Sequence, residues 1–265
     1  MDDTRLRIGA VSYLNAVPLT YALRQAARVR DELTYAEPST LAEQLRRGEI
    51  SVGLIPTMEY LAGTGECVVP EVSISSCGPA TSVKLFSNKP WDEVRIVAAH
   101  GASRSSAALA KVLLQEQYGH EVELRRMAPD VDEMLRAADA ALLIGDPCLA
   151  AADVQVARTV DLGTLWHNLT GLPFVYALWV VGKRKLAPSL TQALVKAKWL
   201  GVLSIDNIAR QEAGRAGLTQ AQIERYLGVD LNYDLTPAHI DGIRTFAELC
   251  VRHGLVEQVR EIRFA

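Results

Sequence analysis

The sequence predicts an α/β fold of two lobes, a clamshell with a helical C-terminal return. Short apolar strands alternate with helical stripes in two successive runs, the pattern of layered α/β units. The eight-residue apolar stretch Phe174-Val175-Tyr176-Ala177-Leu178-Trp179-Val180-Val181 is long enough to carry the chain back to the first unit, and from Pro188 onward the pattern is helical. Lobe 1 is expected to combine residues 1–88 and 180–265, and lobe 2 to be residues 89–179, with a ligand cleft between them. The polar, proline-bearing Ser87-Asn88-Lys89-Pro90-Trp91-Asp92 reads as the first crossing between them.

The first strand, around Ile8 and Val11, stops at Ser12-Tyr13-Leu14-Asn15 and opens a helix through Pro18. In open α/β sheets, ligands collect where strands end and helix N–H groups converge. Asn15 is therefore a candidate catalytic or binding residue, with helix capping as its competing role. Ser12 lies in the same turn. Thr40 with Glu43 reads as a capping box, and Gly48 as a helix terminator. The strand Ile50 to Ile55 is stopped by Pro56, so Pro56 and Thr57 form a second strand end facing the same ligand.

Gly78-Pro79-Ala80-Thr81-Ser82 is a turn with two adjacent hydroxyls, suited either to a small polar ligand or to ordinary turn bonding. After the strand Val94 to Ala98, Gly101-Ala102-Ser103-Arg104-Ser105-Ser106 opens a helix. Exposed N–H groups, the hydroxyls of Ser103, Ser105 and Ser106, and the Arg104 guanidinium make an anion-site pattern there, with a serine-capped helix and a solvated Arg104 as the competing reading. Asp130 with Glu133 is another capping box. The strand Ala140 to Ile144 ends in Gly145-Asp146-Pro147, where Gly145 allows close backbone approach and Asp146 reads as a cap for the helix that follows. His167, beside a tryptophan, reads as structural, and Thr219 with Gln222 is a further capping box.

Composition narrows the function classes. With 265 residues, 49% apolar and 22% charged, the chain is an ordinary globular protein, and its net charge of −3 with scattered Lys and Arg gives no polyanion footprint. Nucleic acid and membrane are not expected partners. Cys67, Cys77, Cys148 and Cys250 lack C-x-x-C spacing and read as reduced thiols, so no metal is expected. Met1-Asp2-Asp3-Thr4 is acidic and runs directly into the first strand without the basic and apolar regions of a leader, so a cytoplasmic location is expected.

Five pieces in order resemble one family: Arg7 to Asn15, Gly48 to Pro56, Ser76-Cys77-Gly78-Pro79 with Ser82 to Ser87, Leu142 to Asp146, and Thr170 to Val175. They are similar to chorismate dehydratase of the futalosine route to menaquinone, a family that resembles type II periplasmic binding proteins in fold. The resemblance spans nearly the whole chain. It implies loss of water from chorismate to give 3-[(1-carboxyvinyl)oxy]benzoate, with no cofactor. On that reading Asn15 is assigned as the catalytic residue, and Ser12, Pro56, Thr57, Thr81, Ser82, Ser103, Arg104, Ser105, Ser106, Gly145 and Phe174 as substrate-binding residues. A non-catalytic small-carboxylate binding protein of the same fold is the alternative.

Overall fold

The computed structural model describes residues 7–26, 32–101, 104–183 and 186–265. Strand β1 (Ile8–Ala10) leads through a single 3₁₀ turn, Leu14–Ala16, into helix α1 (Val17–Gln25), which carries proline in its first turn. Next come β2 (Leu33–Tyr35), α2 (Pro38–Arg47), β3 (Val52–Pro56), α3 (Thr57–Leu61), β4 (Cys67–Ser76) and β5 (Val83–Ser87). The second run comprises β6 (Ile96–His100), α4 (Arg104–Tyr118), β7 (Glu123–Met127), α5 (Val131–Ala137), β8 (Ala140–Ile144), α6 (Gly145–Ala150), β9 (Arg158–Asp161) and α7 (Leu162–Thr170). Strand β10 (Phe174–Val181) precedes α8 (Pro188–Val202), α9 (Ile205–Gln211), α10 (Gln220–Arg225) and α11 (Pro237–Arg252).

Two five-stranded sheets form, ordered β2-β1-β3-β10-β4 and β7-β6-β8-β5-β9. Each has a parallel trio and one antiparallel strand inserted before its edge: β10 lies antiparallel to β3 and β4, and β5 antiparallel to β8 and β9. This moves the crossings expected from the sequence. β5 belongs to the second sheet and β10 to the first, so the chain crosses at residues 77–82 and 171–173 rather than at 88–89 and 179–180. The Ser87 to Asp92 stretch is a turn inside lobe 2, where the Ser87 hydroxyl donates to the Asp139 carbonyl at 2.7 Å and accepts from the Lys89 N–H at 3.0 Å. Its proline and polar residues mark a turn, and composition alone does not separate a turn from a linker.

Asp161 anchors the first connection to the start of α7. Its carboxylate accepts the N–H groups of Ala80 and Thr81 in the first crossing, and its Oδ1 caps α7 through the Thr164 N–H at 3.1 Å. Thr81 has a left-handed backbone, φ 64°, which costs a β-branched residue energy that these bonds offset. At Gly163 a Cβ would lie 2.4 Å from the Gly78 carbonyl, so this approach requires glycine.

Local helix signals held in part. Gly48 ends α2 in left-handed geometry, Asp130 caps α5, and Thr219 with Gln222 forms a capping box. Thr40 does not cap α2, because Pro38 starts that helix two residues earlier, after Glu37. An aromatic cluster sits behind the crossings: Trp166, Phe174, Tyr176 and Phe246 pack edge-to-face, with Phe174 5.3 Å from Trp166 and 5.0 Å from Phe246.

Candidate active site

Three parallel-strand ends point at one spot. β1 ends before Asn15, β3 ends at Pro56 and β8 ends before Gly145, and all three residues line a cavity of about 600 Å³ including its open mouth. Lobe 1 contributes Tyr13, Asn15, Pro56 and Tyr176. Lobe 2 contributes Ser82, Arg104, Ser105, Ser106 and Gly145.

Asn15 does not cap a helix. The residue before α1 is Ala16, with no side-chain cap, and the Asn15 Oδ1 is buried without a hydrogen-bond partner among the described residues. A buried amide oxygen left unpaired costs about 1–3 kcal/mol, and a ligand donor would recover it. The other polar groups differ in what they have left to offer. Ser105 has its donor committed: its Oγ accepts the Met58 N–H at 3.1 Å and donates to the Tyr176 carbonyl at 3.0 Å. Ser82 Oγ accepts from the Tyr226 hydroxyl at 2.7 Å. Arg104 Nε lies 3.3 Å from Glu59 Oε1, close enough for ion pairing but without hydrogen-bond alignment, and Glu59 is shared with Arg46. Arg104 thus stands beside the first turn of α4 with its one carboxylate partner shared, a setting in which a ligand carboxylate can compete for the guanidinium.

Other sequence-expected residues lie elsewhere. Ser12 is exposed, and its carbonyl accepts from Arg215. Thr81 donates to Asp230 Oδ2 at 2.6 Å and lines a separate surface cavity. Thr57 is fully buried at the start of α3, its hydroxyl without a partner among the described residues, and lies outside the cavity lining. Phe174 is 1% exposed in the aromatic cluster, so its role is packing. Ser103 lies outside the described residues.

Against known proteins, the model of the menaquinone biosynthesis family matches residues 6–252. The chain belongs to that family. Chorismate dehydratase of Thermus thermophilus is 31% identical over 264 residues, covering 91% of this chain and 93% of that relative. Chorismate dehydratase of Campylobacter jejuni is 24% identical over 196 residues, covering 72% of this chain and 74% of that one. Among solved structures, a protein from Archaeoglobus fulgidus superposes with TM-score 0.70 at 16% identity, covering 97% of this chain and 100% of that one. The periplasmic aliphatic sulphonate binding protein of Escherichia coli gives 0.62 at 18% identity, covering 98% and 93%. The fold of this family member is thus the two-lobed clamshell of periplasmic binding proteins. No helix among the described residues is long and apolar enough to cross a membrane.

Two phenols, Tyr13 and Tyr176, line the family member's cavity although no sequence motif singles them out. The Tyr13 ring lies against Gly145, 3.2 Å from where a Cβ would stand, and its hydroxyl donates to Glu37 Oε2 at 3.0 Å. Burial, then the Glu37 charge, pushes that phenol well above its ordinary range, so it stays protonated. Burial likewise raises the Tyr176 phenol, whose hydroxyl meets Ser76 Oγ at 3.1 Å. Asp146 does not cap with its side chain as expected: α6 starts at Gly145, and the Asp146 carboxylate reaches across to lobe 1.

Proposed function

We propose that this chain is a chorismate dehydratase, a carbon-oxygen lyase that removes water from chorismate to give 3-[(1-carboxyvinyl)oxy]benzoate. The observation that carries the reading is the unpaired Asn15 Oδ1, buried at a strand end inside the interlobe cavity. The named relatives from Thermus and Campylobacter support the substrate. An unpaired acceptor calls for a donor, and the C4 hydroxyl of chorismate is one.

Asn15 holds that hydroxyl through its amide and orients it for departure. The C3 proton and the C4 hydroxyl leave together as water, and the ring becomes aromatic. Product stability lowers the demand on the catalyst, so a strong protein base is not needed. The substrate's own enolpyruvyl carboxylate accepts the C3 proton and passes it to the departing hydroxyl. Arg104 and the first turn of α4 hold a carboxylate, and Tyr13 with Gly145 closes the far wall and excludes water. The reaction uses no cofactor, and a cytoplasmic location belongs to this reading.

The test is to mix purified protein with chorismate and follow aromatic absorbance. Loss of chorismate matched by appearance of the benzoate ether is expected. Tight binding with intact chorismate recovered would replace the enzyme reading with that of a carboxylate-binding protein.

A further inference from the structure

Asp146 stands on lobe 2, yet both of its oxygens serve lobe 1. Oδ1 accepts the Leu14 N–H at 2.9 Å, one residue before Asn15. Oδ2 accepts from Arg215 Nε at 2.8 Å and lies 2.7 Å from Nη2. Arg215 in turn donates to the Ser12 carbonyl and pairs with Glu212 at 2.9 Å. The turn holding Asn15 is therefore gripped on both sides, at the Ser12 carbonyl and at the Leu14 N–H, by one ion pair that spans the cleft.

The surroundings are built for this grip. The Leu14 N–H opens a 3₁₀ turn, where a donor has no partner within the turn, and the Tyr13 side chain just before it makes no capping bond. The segment presenting Arg215 is bent, with Gly214 at φ 90° and Ala216 at φ 53°, a left-handed backbone that a non-glycine residue adopts only when its surroundings demand it. Asp146 and Arg215 side chains are 21% and 28% exposed, so the pair is partly shielded from water, which strengthens it beyond a surface pair.

We infer that Asp146 and Arg215 are positioning residues, a clasp across the cleft that sets the Asn15 amide in its working pose when the lobes are together. The inference rests on the reading that Asn15 acts on the substrate. Parting of the lobes removes Asp146, frees the Leu14 N–H and lets the turn relax, so closure and catalytic competence are coupled.

The experiment uses the full chain with Asp146→Ala, Asp146→Asn and Arg215→Met, reading kcat and KM on chorismate and hydrogen exchange of the peptide spanning residues 12–16. Asp146→Ala is expected to lower kcat by about 30- to 100-fold while KM moves less than about threefold, since small misplacements of a reacting group cost that much. Asp146→Asn keeps an oxygen for the Leu14 N–H and is expected to recover roughly tenfold of the loss. Arg215→Met is expected to fall between, and the Asp146→Ala/Arg215→Met pair to be no worse than Asp146→Ala, as groups acting as a unit are not additive. Exchange at residues 12–16 is expected to quicken in Asp146→Ala and Arg215→Met whatever the substrate proves to be. If Asp146→Ala does not fold, Asp146→Asn and Arg215→Met carry the same comparison. A kcat within twofold of the unaltered protein in these variants, or unchanged exchange at residues 12–16, overturns the clasp. If the unaltered protein leaves chorismate intact, the dehydratase reading fails and the exchange arm still decides the clasp.

Discussion

Asn15 and Ser105 line the same cavity from opposite lobes, but the fold treats them differently. The Ser105 hydroxyl accepts one backbone N–H and donates to one carbonyl, joining α3 and β10 of lobe 1 to α4 of lobe 2. Asn15 lies inside the 3₁₀ turn that follows a strand end and keeps a buried amide oxygen with no partner among the described residues. The first side chain is part of the frame, and the second is held in reserve for a ligand. Polar residues that look equivalent in sequence are separated by whether their bonding capacity is already used.

The sharpest way to break this contrast is Asn15→Ala. Turnover of chorismate is expected to fall by about 10²–10³-fold with thermal stability unchanged or slightly higher, because an unpaired buried oxygen is removed. Steady-state kinetics with calorimetric melting checks both; unchanged turnover returns Asn15 to the frame. Ser105→Ala should show the converse, a loss of about 1–3 kcal/mol from orphaning the Met58 N–H and the Tyr176 carbonyl, with turnover per folded molecule within a few-fold. Denaturant titration measures it, and a large kcat loss at full stability would contradict the assignment.

Asp139, far from the cleft, sharpens the frame side of the comparison. Burial alone would raise its carboxyl, but the Lys89 ammonium and the N–H groups of Arg95 and Ile96 outweigh it and hold the group below its ordinary 3.8. A depressed folded-state value means that this stability is fully present above about pH 4 and is lost as pH falls through the folded-state value. Asp139→Asn is expected to cost about 1 kcal/mol at pH 7 and nothing once the carboxyl is protonated in both states. A cost that does not shrink in acid would show that the charge is irrelevant there. The smallest effect belongs to Tyr13→Phe, where losing the bond to the exposed Glu37 should cost under about 1 kcal/mol. The raised phenol adds no inflection to the pH–rate profile below about pH 10, and an inflection that vanished in Tyr13→Phe would overturn that statement.

The strand ends were legible because a polar residue after an apolar run marks the carboxyl end of a parallel strand, and Asn15, Pro56 and Gly145 do meet at one cavity. The exchange of β5 and β10 between sheets was not, since an inserted antiparallel strand has the same apolar composition in either lobe. Nor were the partners of the hydroxyls: Thr81 bonds Asp230 and Ser82 bonds Tyr226, each well over a hundred residues away in sequence. Phe174 falls within a motif of the family resemblance, but the structure shows that its contribution is packing. Sequence marked where polar groups cluster, and only the folded contacts show which remain available.

The most direct test of the account is a crystal structure of the protein with 3-[(1-carboxyvinyl)oxy]benzoate bound. The expected result is the ligand in the interlobe cavity with the Asn15 amide about 3.5 Å from the ring carbon that carried the hydroxyl, or about 3 Å from a water beside it. A ligand seated in another cavity, or Asn15 turned away and bonded to protein, would contradict it.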